Sequence, residues 1–173
     1  GAPADAQFLD WFKRRTQDMI DQYHPDLLWF DGALNIHEGM VTKLELLAYY
    51  YNQAARRGQE VVWNYKNNKL HVWPDGCAVL DIERGKLSDI RPEAWQTDTA
   101  LGLYNWGYTT DMVVKSPDNV IDDLIDIVSK NGNLLLNVSP RADGVIPEDQ
   151  QHVLRELGRW LKVNGEAIYG SRP

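Results

Sequence analysis

The chain has 173 residues, of which 43% are hydrophobic and 25% charged, and its formal net charge is −7. This length and composition predict one soluble globular domain with a sizeable core, spanning residues 1–173. The acidic balance argues against a nucleic-acid partner, and no apolar stretch is long enough to cross a membrane.

Hydrophobic periodicity and turn residues predict helices alternating with short apolar strands. Thr42 is expected to cap the second helix, Gly58 to end it, and Ser116-Pro117 to open the third. In chain order the predicted elements are a helix at 5–23, a strand at 27–30, a helix at 42–57, a strand at 61–65, a polar loop at 66–75, a strand at 77–83, a long irregular loop at 85–111, a helix from 117 to about 130, a strand at 134–138 and a helix that Pro147 opens.

This alternation predicts parallel strands joined by right-handed crossovers. Only about four strands are expected, whereas a closed (β/α)8 barrel typically needs about 250 residues. The sequence therefore predicts an α/β fold that is about half of a TIM-like (β/α)8 barrel, with flanking helices. Such a half would expose sheet edges and an apolar inner face, so we also expect a homo-oligomer or a complementing half-barrel.

Two carboxylates, Asp31 and Glu83, follow predicted strands, at the rim where catalytic side chains of parallel α/β proteins gather. A retaining glycosidase needs a carboxylate nucleophile and a carboxylic acid about 5–5.5 Å apart, which the ends of neighbouring strands can provide. Taken alone, the residues leave open an ordinary strand exit at Asp31 and a surface ion pair at Glu83. Asp81, two residues deeper than Glu83, is expected to be a buried structural carboxylate.

Several sequence blocks occur together and in one order over most of the chain. They are Pro25-Asp26-Leu27-Leu28-Trp29-Phe30-Asp31-Gly32, Trp106-Gly107-Tyr108, Gly132-Asn133-Leu134-Leu135-Leu136-Asn137-Val138-Ser139-Pro140 with Asp143-Gly144, and Asn164-Gly165-Glu166-Ala167-Ile168-Tyr169. In this combination the chain resembles the α-L-fucosidases of glycoside hydrolase family 29, specifically the C-terminal half of their catalytic domain. The resemblance implies a retaining exo-hydrolase that removes terminal α-L-fucose from glycans through a covalent fucosyl-enzyme intermediate.

The same resemblance implies the roles of the two carboxylates: Asp31 is the nucleophile and Glu83 the acid/base. Many relatives have Trp-Glu where this chain has Trp95-Gln96, and a glutamine cannot supply the proton. In family members of this local type the Glu of the Asp-x-Glu-Arg-Gly block serves instead, and the resemblance therefore implies Glu83. Asp31 would have to stay ionised and Glu83 to hold a proton at the working pH. The weaker candidates for the acid are Asp98, Glu93 and Asp111.

Four further side chains are expected to bind the sugar. Trp29 shares a strand face with Asp31, and Arg84 can hold a sugar hydroxyl or the ring oxygen. Trp106 and Tyr108 can stack on the apolar C6 methyl side of fucose, with packing inside their loop as the open alternative. We expect residues 133–140 to be a buried final strand and a shaped turn rather than part of the chemistry.

Other classes of site and partner are not favoured. The single Cys77 excludes an internal disulfide, and four scattered histidines show no ligand spacing, so no metal and no cofactor are expected. The expected partner is a fucosylated glycan or fucoside. The alternative function is a non-catalytic sugar-binding or interaction domain, which Gln96 and the missing barrel half would suit. The chain has no signal peptide and a start typical of a processed or engineered end, so the compartment stays open, with secretion or the periplasm possible for a longer parent.

Overall fold

The structure, a computed structural model, describes residues 5–30, 39–66, 73, 74 and 76–172. They fall into two compact units, Gly1–Leu80 and Asp81–Pro173, and whether the chain behaves as a single domain stays a prediction. Helices and strands alternate as expected except in the middle of the chain, where three strands follow one another with no helix between them among the described residues. In chain order the elements are α1 (Ala6–Tyr23), β1 (Leu27–Phe30), α2 (Met40–Arg57), β2 (Val62–Lys66), β3 (Val79–Asp81), β4 (Trp95–Ala100), α3 (Pro117–Ser129), β5 (Gly132–Asn137) and α4 (Glu148–Asn164), followed by a 3-10 turn at Gly165–Ala167.

The first unit is built on the parallel pair β1 and β2, in which Trp29 lies beside Asn64. Local signals place its helices: the Asp5 carboxylate accepts a hydrogen bond from the Phe8 N–H at 2.7 Å and begins α1. Gly58, with φ +65°, ends α2 as predicted. The core is formed by the buried side chains Ile20, Leu28, Leu46, Leu47, Tyr50 and Trp63.

The second unit is built on the parallel pair β4 and β5, with Asp98 beside Leu135 in register. Ser116 caps α3 by accepting a hydrogen bond from the Asn119 N–H, and Pro117 follows at the first helical position, both as predicted. Leu101, Val120 and Val153 form the core of this unit.

Strand β4 is the main correction to the sequence analysis, which assigned residues 85–111 to one irregular loop. All six residues of β4 are buried, as is typical of a parallel strand covered on both faces. Its sequence, Trp-Gln-Thr-Asp-Thr-Ala, is mostly polar, so it lacks the apolar run that predicts a buried strand. The polar side chains are paired instead: Gln96 donates to Asp81, and the Thr99 hydroxyl accepts from the Lys115 ammonium. The described residues thus contain five strands rather than about four.

Three smaller expectations also change. Thr42 lies inside α2 and is buried, because the helix begins earlier, with Gly39 at the N-cap position. The strand predicted at 77–83 is limited to Val79–Asp81. Lys66 is the last residue of β2 and not part of a loop, while residues 67–72 and 75 of the predicted polar loop lie outside the described residues.

Gly132 at the start of β5 provides a test of the packing in the second unit. A Cβ there would lie 2.6 Å from Trp95 Cε2 and 2.7 Å from Ile127 Cγ2. Trp95 cannot easily move, because it is fully buried and its indole N–H donates to the Lys130 carbonyl at 2.8 Å. We expect Gly132→Ala to lower the free energy of unfolding by about 1–3 kcal/mol, measured by chemical denaturation.

Gly158 inside α4 is the matched control for that substitution. A Cβ at Gly158 would meet no heavy atom within 4 Å. Alanine is favoured over glycine in a helix by about 1 kcal/mol, so Gly158→Ala should stabilise the protein. Equal effects of the two substitutions would contradict the packing described here.

Candidate active site

The segment after β3 carries Glu83 and is fixed against β4. The Ile82 N–H donates to the Gln96 carbonyl at 2.9 Å and the Arg84 N–H to the Asp98 carbonyl at 2.8 Å, so residues 82–84 continue alongside β4 in parallel. Arg84 then adopts a left-handed conformation, with φ +49°. Glu83 is exposed at this turn.

Thr97 and Gly85 shape the turn that follows Glu83. The Thr97 hydroxyl lies 2.7 Å from the Ile82 carbonyl oxygen and 2.9 Å from that of Gly85, and it can donate its one proton to either. A Cβ on Gly85 would come within 2.5 Å of Ile82 Cγ2, so a larger residue there would force the Ile82 side chain or the turn to shift. The Glu83-Arg84-Gly85 sequence therefore forms a tight corner held by a buried strand.

The other carboxylates differ in their surroundings. Asp81 is fully buried and accepts a hydrogen bond from Gln96 Nε2 at 3.1 Å, as expected of a structural carboxylate. Asp98, predicted in a loop, lies in β4 with only 5% of its surface exposed. Glu93 forms an exposed ion pair with Arg91 at 3.3 Å.

Arg84 and Trp106, two predicted sugar-binding residues, are in direct contact. The Arg84 guanidinium carbon lies 4.2 Å from the Trp106 ring centroid, a cation–π geometry. The same guanidinium donates through Nη1 to the carbonyls of Gly102 and Leu103 at 3.2 and 3.0 Å. Trp106 remains 37% exposed and Tyr108 40% exposed, so both rings present surface to solvent.

The loop that carries Trp106, residues 101–115, is closed at its base and tied to the end of β5. Leu103 N–H donates to the Val113 carbonyl at 2.8 Å, and Lys115 N–H to the Leu101 carbonyl at 2.9 Å. Asn137 Nδ2 and Ser139 Oγ both donate to the Trp106 carbonyl, at 2.8 and 2.7 Å. Sequence reasoning missed this function of Asn137 and Ser139, because it expected only a buried strand and a turn there. Their polar side chains directly after an apolar run were the available signal.

Trp29 belongs to the first unit, at the carboxyl end of β1. Its indole Nε1 is buried and has no hydrogen-bond acceptor among the described residues. The Lys66 ammonium lies 4.9 Å from the Trp29 ring centroid, a contact the sequence analysis did not anticipate. Asp31, the predicted nucleophile, follows β1 directly and lies outside the described residues.

Two other kinds of feature are absent from the part of the chain that the structure describes. Within it, no group of three or more His, Cys, Asp or Glu side chains could hold a metal ion. No helix among the described residues combines the length and apolar character needed to span a membrane.

Comparison with known proteins gives one consistent family. The family model described as Alpha-L-fucosidase matches residues 2–166. The tissue alpha-L-fucosidase of Rattus norvegicus is 32% identical over 162 residues, which are 90% of this chain and 34% of the relative. The plasma alpha-L-fucosidase of Homo sapiens is 30% identical over 155 residues, 88% of this chain and 33% of the relative. The chain therefore spans about a third of the length of these relatives.

Solved structures agree with the sequence matches. An alpha-L-fucosidase superposes with a TM-score of 0.81 at 32% identity, covering 98% of this chain and 37% of that chain. The α-fucosidase of Thermotoga maritima in complex with fucose superposes with a TM-score of 0.75 at 32% identity, covering 97% and 36%. These matches confirm the predicted fold class, α/β with parallel strands and flanking helices in about half of a (β/α)8 barrel. Because the family model covers nearly the whole sequence and the fold agrees, the chain belongs to the alpha-L-fucosidase family.

Proposed function

We propose that this chain carries the catalytic carboxylates of a retaining exo-glycosidase that hydrolyses terminal α-L-fucose from glycans. The observation that carries the proposal is the family match over residues 2–166. It is supported by the likeness to the Thermotoga maritima α-fucosidase, whose structures include complexes with fucose and with a mechanism-based inhibitor. This chain spans about a third of the length of its relatives, and we propose that it has their fucosidase activity and acts on the same class of substrate.

The proposed reaction has two steps. A carboxylate oxygen of Asp31 forms a bond to the anomeric carbon of fucose while the glycosidic bond breaks, and Glu83 gives its proton to the departing oxygen. Water then attacks the same carbon as Glu83 takes back a proton, and the fucosyl ester bond to Asp31 breaks. Two inversions leave the anomeric configuration retained. The place of Asp31 directly after β1 in the sequence and the place of Glu83 after β3 support these roles.

Trp29 is proposed to bind the sugar through its indole N–H. A buried donor without an acceptor costs about 1–3 kcal/mol, and Trp29 Nε1 has no acceptor in the described part of the chain. A sugar hydroxyl or ring oxygen that accepts this hydrogen bond would remove the cost. The Lys66 ammonium lies over the same ring.

Arg84, Trp106 and Tyr108, all in the second unit, are the other residues proposed to bind the sugar. The Arg84 guanidinium lies over the Trp106 ring. The part of the Trp106 ring that stays exposed can contact the apolar C–H groups of fucose. Arg84 Nη2 is buried and has no acceptor among the described residues, so it can donate to a sugar oxygen. Tyr108, two residues further along the same loop, supplies a second exposed ring.

The active form is proposed to be a homo-oligomer or a complex with a complementing N-terminal half-barrel. Both units have exposed apolar residues on their strands. In the first unit these are Leu27 and Val62, which are partners in register, and in the second unit Leu135. Several hundred Å² of apolar strand surface in water would cost on the order of 10 kcal/mol, which is comparable to the stability of a whole domain.

The proposal is tested by assaying this chain on an aryl α-L-fucoside while light scattering reports its mass. We expect fucoside hydrolysis from an associated species, or hydrolysis that appears when a complementing N-terminal half is added. A monodisperse monomer with a cooperative thermal transition would contradict the assembly proposal. Binding of fucose without turnover in any assembled form would favour the non-catalytic alternative.

A further inference from the structure

Gln150, in the first turn of α4, is fully buried, and its amide pairs with the backbone of one residue. Its Oε1 accepts from the Ser139 N–H at 2.9 Å, and its Nε2 donates to the Ser139 carbonyl at 3.1 Å. Ser139 lies two residues beyond the end of β5 and is only 1% exposed. A buried peptide group needs both partners, so the Gln150 amide takes the place of a neighbouring strand at this point.

Ser139 carries this constraint to the candidate sugar site. Its hydroxyl donates to the Trp106 carbonyl at 2.7 Å, and Asn137 donates to the same oxygen at 2.8 Å. Two donors occupy both lone pairs of that carbonyl, which fixes the backbone of Trp106. The Trp106 ring in turn stacks on Arg84, the neighbour of Glu83 in the chain.

Gln150 also reaches the far side of the loop 101–115. Its Nε2 lies 3.5 Å from Met112 Sδ. Met112 packs against Gly102: a Cβ added to Gly102 would lie 3.1 Å from Met112 Cε. The Gly102 carbonyl in turn accepts a hydrogen bond from Arg84. One buried amide therefore contacts two of the segments that hold the Arg84–Trp106 pair.

We propose that Gln150 is a positioning residue that holds Trp106 in its sugar-binding orientation through Ser139. The effect of Gln150 on sugar binding rests on the proposed function, whereas its effect on the orientation of Trp106 does not. Loss of the Gln150 amide leaves the Ser139 N–H and carbonyl unpaired, so the chain after β5 shifts and the Trp106 carbonyl loses Ser139 Oγ, one of its two donors. The ring then samples other orientations and binds the sugar less well.

The structural part is tested by 19F NMR of the protein labelled with 5-fluorotryptophan, with the Trp106 resonance assigned from Trp106→Phe. Gln150→Leu is expected to shift or broaden that resonance. Gln151→Leu is the matched control: it removes a neighbouring glutamine whose amide donates to the Ile146 carbonyl and not to Ser139, so the Trp106 resonance should stay in place. If Gln150→Leu does not fold, Ser139→Ala, which keeps the backbone pairing with Gln150, should still move the resonance. An unchanged Trp106 resonance in the folded variants overturns the proposal.

The binding part is tested by a double-mutant cycle on an aryl α-L-fucoside. Gln150→Leu should raise KM about 3–30-fold with a smaller change in kcat, because it weakens binding of substrate and transition state alike. In the Trp106→Ala background the same substitution should leave KM unchanged, since its effect passes through Trp106. Additive effects on KM overturn the proposal. A parent protein without fucosidase activity contradicts the proposed function instead, and the 19F experiment then decides the role of Gln150.

Discussion

Asp31→Ala is expected to abolish hydrolysis of an aryl α-L-fucoside, lowering kcat/KM by about three orders of magnitude or more. The substitution removes the oxygen that attacks the anomeric carbon, so no fucosyl ester can form. Only a direct attack by water or by a small anion in the vacated space remains. The measurement is steady-state hydrolysis by the assembled, active form, with and without added azide.

Azide is expected to restore only a slow reaction, whose product has the inverted configuration. The control is Asp10→Ala, which removes an exposed carboxylate on α1 that pairs with Arg14 one turn away and should leave turnover unchanged. Near-parental turnover by Asp31→Ala would show that the nucleophile is another residue.

The effect of Glu83→Gln is expected to depend on the leaving group. A natural glycan needs protonation of the departing oxygen, and loss of a general acid typically lowers the rate by about 10²–10⁴-fold. An activated aryl fucoside leaves with little help, so formation of the fucosyl ester should be much less affected. The two substrates are compared by pre-steady-state and steady-state kinetics of the same variant.

Glu156→Gln is the matched control, because Glu156 is a carboxylate paired with Arg159 in the same unit and is not a candidate for the acid. It should leave the cleavage of both substrates unchanged. Equal losses on both substrates in Glu83→Gln would count against Glu83 as the acid and reopen Asp98 or Glu93.

Local signals were sufficient for most elements of the fold. Ser116-Pro117 predicted the start of α3 because a side-chain cap and a fixed φ act within one turn of the chain. Gly58 predicted the end of α2 for a similar reason, since glycine adopts the left-handed conformation with little strain. The apolar run at Leu27–Phe30 predicted β1, because such a run is stable only when buried.

Strand β4 could not be predicted in the same way. Its polar residues read as a loop, and only their partners elsewhere in the chain make burial favourable. Gln96 needs Asp81, and Thr97 needs the carbonyls of Ile82 and Gly85. Burying a polar side chain costs free energy unless it is hydrogen-bonded, and the sequence alone does not show which residue will be its hydrogen-bond partner.

Some features of the candidate site could likewise be predicted from the sequence, and others could not. The sequence by itself determined the family resemblance, the two strand-end carboxylates and the residues expected around the sugar, because these depend on residue type and order. Only the tertiary structure decided that Arg84 stacks on Trp106 and that Asn137, Ser139 and Gln150 fix the loop behind it. Those contacts join residues far apart in sequence, and their geometry exists only once β4, β5 and α4 have packed together.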